Sequence, residues 1–129
     1  MALNGSCHCG ATRFEVPAAP EWLGECNCSF CTKRGALWAY YPAEQFSLLN
    51  PPEGQATYRW NSGLVAHHHC STCGCATFSE SPSFGAEGPD FSKPRVGVNA
   101  RLLDGFDTGA AERRPIDGAS FPLVRATGG

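Results

Sequence analysis

A chain of 129 residues with 42% hydrophobic and 17% charged residues is long enough for one modest core and too apolar to stay disordered. Ten Lys and Arg against twelve Asp and Glu leave a net charge of −2 with no basic run, so the phosphate attraction behind nucleic-acid binding is missing. No segment approaches the roughly 20 apolar residues of a membrane helix. The start, Met1 to Cys7, has no leader-like basic or apolar stretch, and the expected compartment is the cytoplasm.

In chain order the pattern is period-two alternation without a helical stripe, which predicts a mainly β domain of short strands and long loops. Thr12, Phe14 and Val16 alternate with Arg13 and Glu15 in a first candidate strand, and Ala36 to Tyr41 is an apolar, aromatic run ended by Pro42. A helical turn is expected at Pro42 to Phe46. Further candidate strands are Phe46 to Leu49, Thr57 to Trp60, Leu64 to His69, Ala76 to Ser79 and Arg95 to Asn99, separated by turn-rich segments such as Asn50 to Gly54. Glu80 to Pro94 reads as the longest irregular segment, with Phe84 and Phe91 expected to pack. Residues 1–125 form the expected domain, and 126–129 a flexible tail.

The chemistry sits in the cysteines. Seven of the eight fall into Cys7-His-Cys9, Cys26-Asn-Cys28-Ser-Phe-Cys31 and Cys70-Ser-Thr-Cys73, with Cys75 two residues further on. Disulfides are disfavoured in a cytosolic chain, and Cys-x-Cys bridges are strained. A thioredoxin-like reading of Cys28 and Cys31 lacks the flanking strand and helix. A Cys-x-x-Cys turn instead holds two sulfurs at the separation tetrahedral zinc requires, and Cys-x-Cys in extended chain puts both on one face. The favoured pairing joins Cys7 and Cys9 with Cys70 and Cys73 in a closed four-thiolate site. Such a site supplies stability that a small β core lacks. Cys26, Cys28 and Cys31 then supply three thiolates with a fourth position open, the arrangement of catalytic zinc, which accepts and deprotonates an incoming thiol.

These ordered motifs, Cys-x-Cys-Gly, Cys-x-Cys-x-x-Cys and Cys-x-x-Cys-Gly, resemble the glutathione-dependent formaldehyde-activating enzyme family, whose relatives include centromere protein V. Gly10, Gly35, Gly74 and the run Val96 to Asp107 are also similar to that family's pattern. The resemblance implies a tent-like β fold of the kind found in Mss4-like zinc proteins. It further implies a structural zinc on Cys7, Cys9, Cys70 and Cys73 and a more labile, reactive zinc on Cys26, Cys28 and Cys31. The implied activity is condensation of a thiol, glutathione, with formaldehyde or a small aldehyde, formally a carbon-sulfur lyase reaction. The alternative is a non-catalytic binding module stapled by zinc.

Four features stand beside this reading. Lys33 and Arg34 are the cations nearest in sequence to the three-cysteine cluster, suited either to substrate carboxylates or to a solvated turn. Cys75 is left over, with a core position as the default and ligation or redox pairing as the alternatives. In the strand before Cys70, His67 and His69 face one side and His68 the other; ordinary strand positions are expected, with His67 or His69 as possible donors to a zinc thiolate. The tryptophans and tyrosines are expected to pack across strands.

Overall fold

The structure is a computed structural model that describes residues 2–120, with the side chain of Pro52 left aside. It is mainly β, as the alternation predicts: ten strands, one short α-helix and four single 3-10 turns make up the described chain. A three-stranded antiparallel sheet has the order β1 (Leu3–Ser6), β2 (Arg13–Val16), β5 (Ser47–Leu48). A larger sheet contains β3 (Trp22–Cys26), β4 (Trp38–Pro42), β6 (Gln55–Tyr58), β7 (Ala66–Cys70), β8 (Ala76–Gly85), β9 (Gly88–Asn99) and β10 (Glu112–Ile116). Its order is β10-β3-β4-β9-β8-β7-β6.

The period-two pattern does what it implies. Thr12, Phe14 and Val16 are buried while Arg13 and Glu15 are exposed. Phe14 and Val16 meet Leu23, Leu37, Ala39, Phe78, Val96, Val98 and Leu103 in one core between the two sheets. A polar bridge runs beneath the cysteines: Gln55 Nε2 donates to Thr12 Oγ1, and Thr77 Oγ1 donates to Gln55 Oε1 at 2.9 Å. Thr12 and Thr77 are both fully buried, so Gln55 answers hydroxyls that would otherwise be costly.

Two expectations are corrected. The segment Glu80 to Pro94 is not a loop: β8 and β9 continue through it as a hairpin, with Ser83 opposite Asp90 and Gly85 opposite Gly88. Its three prolines lower strand propensity, but Pro82 and Pro94 face each other at a register shift, where the missing N–H groups do little harm. Phe84 and Phe91 do not pack inside; they are 44% and 68% exposed. The other strands missed in the sequence, β1, β3 and β10, have short or interrupted alternation. The helical turn at Ala43–Gln45 is present as expected. The boundary at 125 and the tail 126–129 lie outside the described residues.

Candidate metal centre and its surroundings

The cysteines sit where strands end. Cys7 follows β1, and the chain turns through Cys9 and Gly10 before β2; Cys70 closes β7, and the chain turns through Cys73 and Gly74 before β8. Gly10 N–H donates to the Cys7 carbonyl at 3.1 Å and Gly74 N–H to that of Cys70 at 2.9 Å. Both glycines have positive φ, 83° and 82°, so a side chain would strain either turn.

These two turns, one from each sheet, bring four sulfurs together. Those of Cys7, Cys9, Cys70 and Cys73 all lie within 4.8 Å of one another. Cys9 Sγ is 3.7 Å from both Cys7 Sγ and Cys70 Sγ. Zinc–sulfur bonds of about 2.3 Å in a tetrahedron place sulfurs about 3.8 Å apart, whereas a disulfide would need about 2.05 Å. The donor set therefore fits a tetrahedral metal and not a bridge. Backbone N–H groups already point at the sulfurs, from Thr12 to Cys7 at 3.3 Å and from Thr72 and Cys73 to Cys70 at 3.4 and 3.5 Å. The N–H of Cys75, and then that of Cys9, hold the Cys73 thiol down at about 5, so this group favours thiolate even before metal is considered.

The second group is built on α1 (Ser29–Arg34), a helix that the period-two reading missed because it has fewer than two turns. Cys28 is its N-cap: the sulfur accepts the Cys31 N–H at 3.3 Å, the role usually filled by a serine or aspartate oxygen. Cys31 thus faces back toward Cys28, and Cys26, the last residue of β3, completes a trio whose sulfurs also lie within 4.8 Å of one another. No fourth His, Cys, Asp or Glu joins the trio among the described residues. Cys28 and Cys31 are buried and Cys26 half-buried, with Ala36 and Trp38 packed against them. Cys31 is pushed up, first by the proton it shares with Cys26 and then by burial. Cys26 is held down at about 5, chiefly by the hydrogen bond from Cys31. One thiolate is therefore retained in the trio at neutral pH.

A third element covers the trio from far along the chain. β10 lies parallel to β3, so Ile116 ends beside Cys26, and 117–120 cross in front of it. Asn27 fastens this strap: its N–H donates to the Ile116 carbonyl at 3.0 Å, its Nδ2 to Asp117 Oδ1 at 3.0 Å, and its Oδ1 accepts from Ala119 N–H at 2.8 Å. Gly118 has no room for a side chain; a Cβ there would be 2.7 Å from Cys26 Sγ. Nothing in the sequence signals this contact, because Asn27 and Asp117 are 90 residues apart.

The remaining candidates separate. Cys75 is half-buried rather than core, and its thiol hydrogen-bonds Cys73; it belongs beside the four-sulfur group and not the trio. Lys33 is exposed and Arg34 half-buried. His68 is fully accounted for, with Thr57 Oγ1 at 2.9 Å from Nδ1 and Glu80 Oε1 at 2.7 Å from Nε2. His67 and His69 lie on the other side, and burial followed by the charge of Arg34 lowers the pKa of both, that of His67 to about 4. Both imidazoles are thus neutral at neutral pH. The aromatic residues do pack across strands: Trp22 and Tyr40 are 6.0 Å apart, centroid to centroid, and Arg114 lies over Trp22 at 4.7 Å.

Fold and site together define a cysteine-rich β protein with two groups of thiols able to hold metal ions. The chain matches the model of the glutathione-dependent formaldehyde-activating enzyme family over residues 2–105, and it belongs to that family. A Halomonas elongata protein that carries the family's name is 33% identical over 93 residues, an alignment covering 64% of this chain and 58% of that protein. The chain thus spans little more than half the length of that relative. A crystal structure of a Rhodobacter sphaeroides protein superimposes with a TM-score of 0.67 at 27% identity, over 86% of this chain and 99% of the other. β10 and the strap lie beyond the family match. Among the described residues no helix is long and apolar enough to cross a membrane.

Proposed function

We propose that this protein is a zinc-dependent enzyme that adds a thiol, glutathione or a close analogue, to formaldehyde or another small aldehyde, a reaction of the carbon-sulfur lyase class. The observation that carries the reading is the contrast between the two cysteine groups. Cys7, Cys9, Cys70 and Cys73 form a complete tetrahedral donor set that joins the two sheets, a structural zinc site. Cys26, Cys28 and Cys31 offer three sulfurs and, among the described residues, no fourth His, Cys, Asp or Glu joins them. Zinc held by this trio would supply the Lewis acidity that keeps an incoming thiol deprotonated at neutral pH.

The chain's own groups do the rest. The Cys28 cap and the Cys31 turn fix two sulfurs at the start of α1, and the end of β3 fixes that of Cys26, so the arrangement is set before a ligand arrives. Trp38 and Ala36 close the inner side against water. In the addition, the sulfur lone pair forms the C–S bond as the carbonyl π pair moves to oxygen. The thiol proton is delivered to that oxygen through solvent, giving an S-hydroxymethyl product. The uncatalysed addition is already facile, so holding both reactants together is the main contribution the protein can make. Partners on this reading are a small-molecule thiol and a small aldehyde, with no nucleic acid and no membrane, and the reaction belongs in the cytoplasm.

The test is zinc stoichiometry on protein purified under reducing conditions, for the parent chain and for Cys28→Ser, with glutathione titrated into both. Two zincs, one lost in the variant and perturbed by glutathione, are expected, and formaldehyde consumption should depend on the second. One zinc that ignores both the substitution and the thiol would leave a zinc-stapled binding module instead.

A further inference from the structure

Strand β7 places His67 and His69 on the face opposite His68. His68 is fully hydrogen-bonded. The Nδ1 atoms of His67 and His69 are buried and have no hydrogen-bond partner, and the same holds for Nη1 of Arg34. Among the described residues only four side-chain nitrogen or oxygen atoms are buried in this way, the other being Asn50 Oδ1, so three of the four gather in one neighbourhood. Buried polar atoms are nearly always paired with protein, water or a bound group, so a cluster of unpaired ones calls for a partner from outside the chain.

Phe30 is the hub of that neighbourhood. Its ring lies 4.2 Å from the His67 ring, and the Arg34 guanidinium carbon lies 4.9 Å from the centroid of the same ring. Tyr58, stacked at 5.6 Å, and Trp60, at 6.1 Å, extend the aromatic surface. Phe30 stands between Cys28 and Cys31 in the chain and packs against the cluster that holds both, so it links the unpaired nitrogens to the trio. Arg34 is close enough for its charge to act on both imidazoles, and the charge of Arg59 reaches His67 as well.

A cation at the C-terminal end of α1 has an ordinary explanation, service to the last carbonyls of the helix. Two acceptors at that end already have other donors. Gly35 N–H donates to the Cys31 carbonyl at 2.9 Å, and Arg101 Nε donates to the Gly35 carbonyl at 3.1 Å. No carboxylate among the described residues pairs with Arg34. What remains is a fixed positive charge, two imidazoles whose buried Nδ1 atoms have no partner, and an aromatic floor. A planar carboxylate matches the guanidinium fork in charge and shape.

We infer that Arg34, His67 and His69 form a carboxylate-binding subsite that orients a carboxylate-bearing thiol toward Cys26, Cys28 and Cys31. The thiol part of this statement rests on the function proposed above; the carboxylate part stands on the unpaired nitrogens alone. The subsite makes small thiols without a carboxylate poor substrates, and it gives Arg34 a part that its exposed neighbour Lys33 does not share.

The experiment uses the metal-loaded protein and S-methylglutathione, whose capped sulfur offers no free thiol, with its dimethyl ester as the uncharged control. Calorimetry should show the acid binding roughly ten- to hundredfold tighter than the ester, the range expected for charge-assisted hydrogen bonds. Arg34→Met should abolish that difference, and Arg34→Lys should restore part of it. In the parent protein the acid should move the imidazole nitrogen resonances of His67 and His69 and leave those of His68 unmoved. Equal binding of acid and ester, an acid indifferent to Arg34→Met, or no binding and no histidine shift would each overturn the inference. Because no free thiol takes part, none of these outcomes bears on thiol addition, which stands or falls on zinc stoichiometry and its response to glutathione.

Discussion

Replacing Gly118 by alanine tests whether the strap really rests on the three-cysteine group. The added Cβ would be 2.7 Å from Cys26 Sγ and 3.1 Å from the Cys28 Cβ. Comfortable contact needs about 3.5–4.0 Å, so the strap must lift by roughly 1 Å. A lift of that size stretches the Ala119-to-Asn27 bond, now 2.8 Å, and the Asn27-to-Asp117 bond, now 3.0 Å, beyond useful length. Two net hydrogen bonds of this kind contribute about 1–3 kcal/mol, the same range as a typical overpacking penalty. The expected loss is therefore about 2 kcal/mol, and at roughly 4 °C per kcal/mol for a chain of this size Tm falls by about 8 °C. Cys26 also loses the Gly118 N–H that helps hold its thiol down, so in reduced, metal-free protein the pH at which it is labelled by a thiol reagent should rise. Gly54→Ala is the control, since its Cβ would meet only the Ala11 carbonyl at an ordinary 3.8 Å. If calorimetry gives Gly118→Ala the Tm of the parent and labelling of Cys26 is unchanged, the strap does not sit on the sulfur and the packing argument fails.

Three further outcomes follow from the same geometry. Cys70→Ser removes the fully buried sulfur that links the two sheets at the four-cysteine group; metal analysis should show that ion lost, and unfolding in denaturant should become less cooperative, because a metal that binds only folded chain adds to its stability. Phe14→Ala deletes a ring with no exposed surface at the centre of the core, and the expected cost is about 3–5 kcal/mol by urea unfolding, enough to threaten a domain of ordinary stability. Glu80 has its carboxyl pKa lowered, first by the hydrogen bond to His68. Its contribution to stability is therefore present above the unfolded carboxylate value of about 4.3 and is lost as pH falls through the lower folded value. The Tm gap between the parent and Glu80→Gln should shrink as pH falls through that window; a gap that widens would reverse the assigned direction.

The parts of this fold that could be read from the sequence were those governed by local rules. Alternation at 12–16 gave β2 its buried and exposed faces, Pro42 marked the end of β4, and the spacing of Cys7, Cys9, Cys70 and Cys73 predicted a group of sulfurs that the two turns do bring together. Where the reading failed, a nonlocal effect outweighed a local signal. Pro82, Pro89 and Pro94 look like loop residues, but hydrogen bonding between β8 and β9 carries the hairpin through them. Helix α1 is too short to show a periodic stripe and is held by its caps, with a cysteine in the position that serine or aspartate usually fills. His67 and His69 looked like ordinary strand residues because a sequence gives the face a side chain takes but not whether its nitrogen finds a partner.

The same division bears on why the two cysteine groups differ. The four-cysteine group draws its pairs from two turns that close separate sheets, so filling it ties the fold together and leaves no position free. The trio draws all its sulfurs from six consecutive residues, Cys26 to Cys31, and so contributes little to joining distant parts of the chain. Its surroundings come from elsewhere: Trp38 from β4, His67 from β7 by way of the Phe30 ring, and Gly118 from a strap beyond the family match. A site whose metal-competent atoms are local and whose walls are remote can keep its chemistry while its walls change. On that argument, selectivity for the thiol should respond to substitutions at Arg34 and in the strap, while the ability to hold a second metal should respond to Cys26, Cys28 and Cys31. Measuring both properties on one set of variants separates the two, and a wall substitution such as Arg34→Met that removed the second metal outright would contradict it.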